Sequence, residues 1–203
     1  MYDMREQKAA LRYAVVVLSF AVIAVGLSAM LRSGFGMGPW GAFEQVMSER
    51  TGITFGRASQ LVGLVLIAAA WMLGEKPTLV TLMNMVLIGA FSDVVLAVLP
   101  HVTATAAKPI VFCIGLIVYA MGIAMYVSLR MGAGPREALM LGLSRRASMS
   151  IRLARIIIDS SVAIAAWIMG GPVSYGTAVF ALGAGPLIQA FMGRCGGIVT
   201  RLK

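Results

Sequence analysis

The chain has 203 residues, of which 60% are hydrophobic and only 12% are charged. Its mean hydropathy of +0.90 excludes a soluble domain, which could not bury so much apolar surface at this length, and predicts an integral membrane protein. The net charge of +9 does not indicate nucleic-acid binding, because the arginines lie between apolar runs, where membrane topology accounts for them.

Six apolar runs along the chain are long enough to be transmembrane helices. They cover residues 11–31, 55–73, 78–99, 109–129, 151–169 and 174–192. The first run has the length of a span and no clear small-x-small cleavage site, so we interpret it as a helix and not as a signal peptide. The expected fold is an all-α membrane protein with six transmembrane helices in a single domain, residues 1–203.

A short segment with an unusual beginning follows the first span. Gly36, Gly38 and Pro39 form a Gly-x-Gly-Pro turn, Trp40 comes next, and the segment ends near Arg50. Its dozen residues would cover about 18 Å as a helix, whereas the hydrocarbon core is about 30 Å thick. The segment is therefore either a re-entrant half-helix or a helix lying in the membrane interface.

The same turn occurs twice more. Gly132, Gly134 and Pro135 begin a second short segment after the fourth span, and Gly183-Ala-Gly-Pro186 lies inside the sixth span, where it predicts a break in the helix. Proline at the first helical position lacks only an N–H that would be unbonded anyway, and the preceding glycines leave neighbouring N–H groups uncovered. Each copy thus predicts a half-helix with accessible N-terminal donors.

The first two turns are 96 residues apart, and other identities recur at the same spacing. Ala69-Ala-Trp-Met-Leu-Gly74, for example, corresponds to Ala165-Ala-Trp-Ile-Met-Gly170. These matches predict two homologous repeats, residues 11–99 and 107–193. Each repeat holds three spans, an odd number, so the second repeat should enter the membrane from the opposite side and form an inverted pair with the first.

The distribution of Lys and Arg predicts the orientation. If the N-terminus is inside, the inner segments carry thirteen of these residues and the outer segments four. This asymmetry favours cytoplasmic N- and C-termini in a multi-pass protein of the bacterial inner membrane.

The half-helix beginnings are the candidate substrate site. Helix N-termini offer N–H donors and about half a positive charge each, and transporters use broken helices in this way to hold anionic groups near the midplane. The alternative is that both segments lie flat as connecting helices and that the glycines serve only turns and packing. The candidate substrate-binding residues are Gly36, Gly38, Pro39, Trp40, Gly132, Gly134, Pro135, Gly183, Gly185 and Gln189.

Ionisable residues inside spans suggest a coupling or polar path, because they are costly there and usually face a bundle interior. Asp159 lies in the fifth span with Arg155 four residues earlier, on the same helix face, and Asp93 lies in the third span. Glu137 is a further candidate for this path. In the alternative interpretation Asp159 only neutralises Arg155, Asp93 bonds a neighbouring helix, and Glu137 and Glu44 lie at solvated edges.

No pattern of catalytic, metal-ligating or phosphate-binding residues is evident in the sequence. Cys113 and Cys195 have no metal or redox spacing, and His101 stands alone. We expect no enzyme activity, no cofactor and no metal site. The expected partners are the lipid bilayer and a small-molecule solute, and a homodimer is compatible with this size.

Several motifs of the second repeat stand out together: Gly132-Ala-Gly-Pro-Arg-Glu137, Leu143-Ser-Arg-Arg146, Ser150-Ile-Arg152, Trp167-Ile-Met-Gly-Gly-Pro172 and Phe180-Ala-Leu-Gly-Ala-Gly-Pro-Leu-Ile-Gln189. With these motifs the second repeat resembles the YczE/YitT-type group of small bacterial membrane proteins. The first repeat matches through Gly38-Pro-Trp40 and Thr51-Gly-Ile-Thr-Phe-Gly56, although Gly41 stands where the group often has an acid. The resemblance implies a small polytopic inner-membrane protein.

Two functions follow from these patterns. The first is a secondary transporter or channel-like carrier of a small polar or anionic solute, with a site at the Gly-x-Gly-Pro half-helices. The second is a non-transporting membrane protein that scaffolds or modulates a partner, in which the polar residues serve only packing. A water-accessible cavity at the half-helix beginnings would favour the carrier.

Overall fold

A computed structural model describes the backbone of residues 2–201, together with the side chains of residue 7 and residues 9–194. The described part consists of eight α-helices and contains no strand. The helices are α1 (Tyr2–Ser33), α2 (Pro39–Thr51), α3 (Phe55–Met72), α4 (Leu79–Val98), α5 (Ala107–Ser128), α6 (Pro135–Arg146), α7 (Ile151–Ile168) and α8 (Tyr175–Arg201).

Five helices, α1, α3, α4, α5 and α8, are long and apolar enough to cross a membrane. This finding confirms the prediction of an all-helical protein with several membrane spans. The fifth predicted span, α7, has 18 residues but carries three charged side chains, Arg152, Arg155 and Asp159. That α7 also crosses the membrane, which would make six spans in all, stays a prediction.

The helix boundaries recur along the chain. Helices α2, α3 and α4 begin at residues 39, 55 and 79, and α6, α7 and α8 each begin 96 residues later. Thr54 and Ser150 are matching N-caps, because each hydroxyl accepts a 3.2 Å hydrogen bond from the backbone N–H three residues on. Caps of this kind satisfy a helix-terminal donor and define where the helix begins. The helix starts at residues 55 and 151 therefore correspond because each predicted repeat has a capping hydroxyl at the matching position.

Helices α1 and α5 cross at the centre of the molecule through glycines. A Cβ atom added at Gly115 would lie 2.8 Å from the carbonyl oxygen of Gly26, and one added at Gly122 would lie 2.7 Å from the Ile23 side chain. Small residues at such a crossing let two helix backbones approach closely, which strengthens packing in a membrane. The two first helices of the predicted repeats thus form the core.

The other helices surround this pair in a pattern that largely repeats. Helix α4 packs against α1 and α8 against α5, while α2 packs against α7 and α6 against α3. Each short helix therefore contacts the other half of the chain. The pattern differs at one place: α3 packs along α4, whereas no comparable contact joins α7 to α8 among the described residues.

The predicted break within the last span is absent. Helix α8 is continuous from Tyr175 to Arg201 and contains Pro186 in its interior. A proline removes only one backbone N–H from a helix, and Gly183 and Gly185 adopt helical geometry here. The prediction of a third half-helix beginning at Pro186 was wrong.

Candidate functional site

Both short helices are inserted into the protein rather than spread over its surface. In α2 the residues buried are Pro39, Trp40, Gly41, Ala42, Glu44 and Val46, and in α6 they are Pro135, Ala138, Met140 and Gly142. Gly38 and Gly134 are the N-cap residues, and neither helix receives a side-chain cap. The N-termini of α2 and α6 therefore lie inside the bundle with uncapped donors.

A cavity of about 220 Å³, here called the wide cavity, lies at the beginning of α2. Helices α7 and α8 form two of its walls, at the place where these helices are not packed together. Most of its surface is apolar or aromatic. The lining residues are Leu27, Gly38, Pro39, Trp40, Gly41, Tyr119, Ile123, Val127, Arg136, Glu137, Met140, Arg155, Asp159, Phe180, Ala184 and Ile188.

One wall of the wide cavity carries a hydrogen-bonded polar group. Trp40 donates from Nε1 to Oδ1 of Asp159 at 2.9 Å, and Nε of Arg155 lies 3.5 Å from Oδ2 of the same carboxylate. The predicted ion pair between Arg155 and Asp159 is therefore present, and the indole adds a contact that joins α2 to α7. The Asp159 side chain is 28% exposed, so the carboxylate remains accessible from the cavity.

Arg136 connects α6 to α2. Its guanidinium lies 5.3 Å from the centroid of the Trp40 ring and donates from Nη2 to Oε1 of Glu44 at 2.5 Å. Burial by itself would lower the pKa of Arg136, but the Glu44 carboxylate, together with Tyr119 and Glu137, raises the pKa above its ordinary value. Arg136 therefore stays charged inside the protein.

Glu44 is one of the most buried side chains, with 1% of its surface exposed. The prediction that it lies at a solvated edge was wrong, because α2 is turned with this residue toward α6 rather than toward water. Its Oε2 atom has no hydrogen-bond partner. A buried carboxylate oxygen without a partner is costly, which marks Glu44 as a residue that packing alone does not explain.

A second, narrow cavity of about 50 Å³ lies at the beginning of α6. Its lining positions correspond to those of the wide cavity at the spacing of 96 residues: Ser59 corresponds to Arg155, Gly63 to Asp159, and Pro135 to Pro39. The lining residues are Ile23, Leu27, Glu44, Ser59, Gly63, Leu66, Asn84, Met85, Ile88, Tyr119, Ile123, Tyr126, Pro135, Arg136 and Glu137.

The two cavities share one wall. Leu27, Tyr119 and Ile123 from the central helices, together with Arg136 and Glu137 of α6, line both. The predicted candidates Gly38, Pro39 and Trp40 line the wide cavity, and Pro135 lines the narrow cavity. Gly134 lies beside Glu137, whose Oε2 is close to the position that a Cβ atom on this glycine would occupy.

Gly36 and Gly132 lie away from both cavities. Their φ angles are +128° and +155°, which favour glycine, and a side chain at either position would meet the hydroxyl of Ser174 or Thr78. The backbone carbonyl of Phe35 accepts a 2.6 Å hydrogen bond from the Ser174 hydroxyl. These two glycines therefore dock each turn against the beginning of a helix in the other half.

The candidates of α8 do not line the cavities themselves. Gly183 faces Leu116 and Gly185 faces open space, while Gln189 is exposed. The residues of α8 that reach the wide cavity are Phe180, Ala184 and Ile188. Because α8 is unbroken, the residues that it turns toward the wide cavity are spaced four apart along one helix face, and neither glycine of the Gly-x-Gly-Pro turn is among them.

Asp93 bonds a neighbouring helix and lines neither cavity. It accepts hydrogen bonds from the Thr54 hydroxyl at 2.6 Å and from the backbone N–H of Gly56 at 2.7 Å. A carboxylate at a helix N-terminus satisfies donors there and complements the helix dipole. These contacts match the packing interpretation of Asp93, and they lie on the side of α3 that faces α4.

Glu44 and Arg136 are the residues that sequence reasoning missed. A signal for Arg136 existed, because it directly follows Pro135 and occupies the position that corresponds to Trp40. Glu44 corresponds to Met140 and had no such signal, since a single acid in a short amphipathic segment is typical of a solvated face.

Comparison with known proteins places the chain in a family. A family model described as a family of unknown function, DUF6198, matches residues 10–193. The membrane protein YczE of Bacillus subtilis is 30% identical over 186 residues, which are 91% of this chain and 86% of YczE. A Haemophilus influenzae protein is 29% identical over 93% of this chain and 84% of its own length.

A third relative, YyaS of Bacillus subtilis, is 26% identical over 90% of this chain and 92% of its own length. No solved structure matches the chain significantly. The family model covers nearly all of the region in which the two short helices, the cavities and the shared Arg136 wall lie. The chain belongs to this DUF6198 family of YczE-type membrane proteins.

Proposed function

We propose that this protein is a secondary transporter or channel-like carrier of a small polar or anionic solute, with the wide cavity as its substrate site. The observation that carries the proposal is the pair of cavities. They are built from corresponding positions of two repeats and share one wall, yet one is wide and the other narrow. A structural scaffold has no need for such a pair.

The lining of the wide cavity supports a solute with one charged or polar end. Arg136, Arg155 and the uncapped N-terminus of α2 offer N–H donors. The carboxylates of Glu137 and Asp159 offer acceptors beside them. Trp40, Tyr119 and Phe180 offer aromatic surface on the others. Buried polar groups that orient a ligand among apolar walls are the usual composition of a small-molecule site.

The six-span topology is part of this proposal. Helix α7 would cross the membrane as a sixth span, with Arg155 and Asp159 turned toward the cavity and away from lipid. The two repeats would then be inverted with respect to each other, and both termini would lie in the cytoplasm, as the distribution of Lys and Arg favours.

An inverted pair suggests how the site changes access. The wide cavity lies where α7 and α8 are apart, and the narrow cavity lies beside the closed pair α3 and α4. If α7 closed on α8 while α3 moved away from α4, the opening would pass from one repeat to the other. Exchange of conformations between inverted repeats is a general route to alternating access.

A thermal-shift screen of the purified protein against a metabolite library tests the proposal. We expect at least one small polar or anionic compound to stabilise the wild-type protein. Asp159→Asn should change the affinity for that compound by 10-fold or more, weakening a polar compound that donates to the carboxylate and strengthening an anionic one. Gln189→Ala should leave the affinity unchanged, because Gln189 is exposed and outside the cavity. If no compound stabilises the protein across a broad library, the scaffold or modulator function is favoured instead.

A further inference from the structure

The narrow cavity contains several oxygen-bearing side chains. Glu44 comes from α2, Ser59 from α3, Asn84 from α4, Tyr126 from α5 and Glu137 from α6, so five different helices contribute. The cavity is small and lies among buried apolar residues. Its volume of about 50 Å³ suits an ion or a few waters and is too small for an organic solute.

Three of these groups converge on one point at the beginning of α6. The position that a Cβ atom of Gly134 would occupy lies 3.3 Å from Nδ2 of Asn84 and 3.3 Å from the Tyr126 hydroxyl, with Oε2 of Glu137 closer still. A half-turn of the Asn84 amide would bring its oxygen to this point. The glycine therefore leaves room around which polar atoms gather. A side chain at this position would fill that room.

Glu44 supplies an independent sign that a ligand belongs here. Its side chain is 1% exposed, and one carboxylate oxygen is held by Arg136. The other oxygen, Oε2, has no partner although Glu44 lines the cavity. A buried carboxylate oxygen needs a donor or a cation to offset the cost of removing it from water.

The charges around the narrow cavity do not cancel. Glu44 and Glu137 carry two negative charges, and Arg136 carries one positive charge. Arg155 is paired with Asp159 on the wide cavity and does not compensate the difference. The α6 N-terminus contributes about half a positive charge. A net negative charge therefore remains in a buried place, where an unpaired charge is expensive.

We propose that the narrow cavity binds a sodium ion through Glu44 and Glu137 together with the neutral oxygens of Ser59 and Asn84. Hard cations prefer oxygen ligands of this kind. A divalent ion is less suited, because Arg136 already neutralises one of the two carboxylates. The side chains lack one positive charge, of which the α6 N-terminus supplies about half, so a monovalent cation suits the balance better than a divalent one.

The proposal deepens the transporter function and rests on it for the role of the ion in coupling. Arg136 lines both cavities, with Glu44 on one side and the Trp40 ring on the other. A sodium ion at Oε2 of Glu44 would draw charge from that carboxylate and weaken its hold on Arg136, which would leave the guanidinium more available to a solute in the wide cavity. Sodium would thereby strengthen the binding of a solute with an anionic end.

Sodium binding can be measured without knowing the solute. The purified protein in detergent is titrated with NaCl against choline chloride at constant ionic strength, and its unfolding temperature is recorded. We expect saturable stabilisation by sodium and none by choline. Ser59→Ala and Asn84→Ala should raise the half-saturating sodium concentration by 10-fold or more, and Gly134→Ala should abolish the effect.

Asp93→Asn is the matched control, because Asp93 is an acid of a spanning helix that lines neither cavity. It should leave the half-saturating concentration unchanged. Equal stabilisation by sodium and choline would overturn the sodium site. So would stabilisation by falling pH alone in sodium-free buffer, since a proton on Glu44 or Glu137 would then satisfy the cavity. Ser59→Ala and Asn84→Ala keep both carboxylates and the Arg136 pair, which guards against loss of folding.

The outcomes separate this proposal from the transporter function. A stabilising solute whose affinity does not depend on sodium would overturn the coupling of ion and solute and leave the carrier function standing, while absence of sodium-specific stabilisation would overturn the ion site itself. Sodium stabilisation with no solute in a broad library would support the ion site and count against transport.

Discussion

The two halves of the molecule differ most where their last two long helices meet. In the first half α3 packs along α4: a Cβ atom added at Gly89 would lie 2.6 Å from the carbonyl oxygen of Gly56, and one at Gly63 would lie 2.7 Å from Cγ of Met85. In the second half α7 and α8 are separated by the wide cavity. One half is closed and the other is open.

The sequence shows why the second half does not close in the same way. Arg152 and Asp159 occupy the positions of Gly56 and Gly63, so large charged side chains replace the glycines that allow α3 to approach α4. Gly185 still corresponds to Gly89, but it faces open space. In this conformation the second half lacks the close glycine contact, and the wide cavity lies at the place where α3 and α4 pack together in the first half.

The largest expected effect concerns the charged pair Glu44–Arg136, which joins the two predicted repeats. Arg136→Met leaves Glu44 buried without a counter-charge and should lower the free energy of unfolding by about 3–5 kcal/mol. The pair at the corresponding positions, Trp40 in the first repeat and Met140 in the second, carries no charge. The measurement is reversible unfolding in mixed micelles, followed by circular dichroism.

The double variant Arg136→Met with Glu44→Met is the control for this prediction. It removes both charges and should recover most of the stability, because an apolar pair of similar volume needs no compensation. A double variant as unstable as Arg136→Met alone would show that the loss comes from packing and not from the unpaired carboxylate.

A pair of glycine substitutions tests the difference between the closed and the open contact. Gly89→Ala places a methyl group against a backbone carbonyl and should lower the free energy of unfolding by about 1–3 kcal/mol. Gly185→Ala, at the corresponding position, meets nothing within 4 Å and should be neutral or stabilise by up to about 1 kcal/mol. Equal effects in the same unfolding assay would mean that α7 and α8 close as tightly as α3 and α4.

Much of the fold could be predicted from the sequence because its signals are local. Proline at the first helical position, the matching caps Thr54 and Ser150, and the spacing of 96 residues each define where a helix begins. The predicted helix starts agree with the structure to within two residues, except the first, which lies earlier, and the one predicted at Pro186, which is absent. Hydropathy identified the apolar helices because a run of apolar residues is also a local feature of the sequence.

The contact between Glu44 and Arg136 in the candidate site could not be predicted from any local pattern. The partner of Glu44 is Arg136, 92 residues away, and only the packing of α2 beside α6 brings the two together. The i,i+4 pair Arg155–Asp159 was predictable because helix geometry alone makes it. The predicted break at Pro186 failed because one proline is tolerated within a helix that its neighbours support.

The smallest expected effect concerns the bond that joins the half-helix α2 to the open wall. Trp40→Phe keeps the aromatic ring but removes the N–H donor to Asp159, and should lower the free energy of unfolding by about 1 kcal/mol. Trp167→Phe is the matched control, because Trp167 is 67% exposed and should change stability by less than about 0.5 kcal/mol. An equal loss in both variants would indicate that the Trp40 indole contributes only apolar surface. A loss confined to Trp40→Phe, together with weaker solute binding, would mean that this bond holds Asp159 toward the cavity while α7 and α8 remain apart.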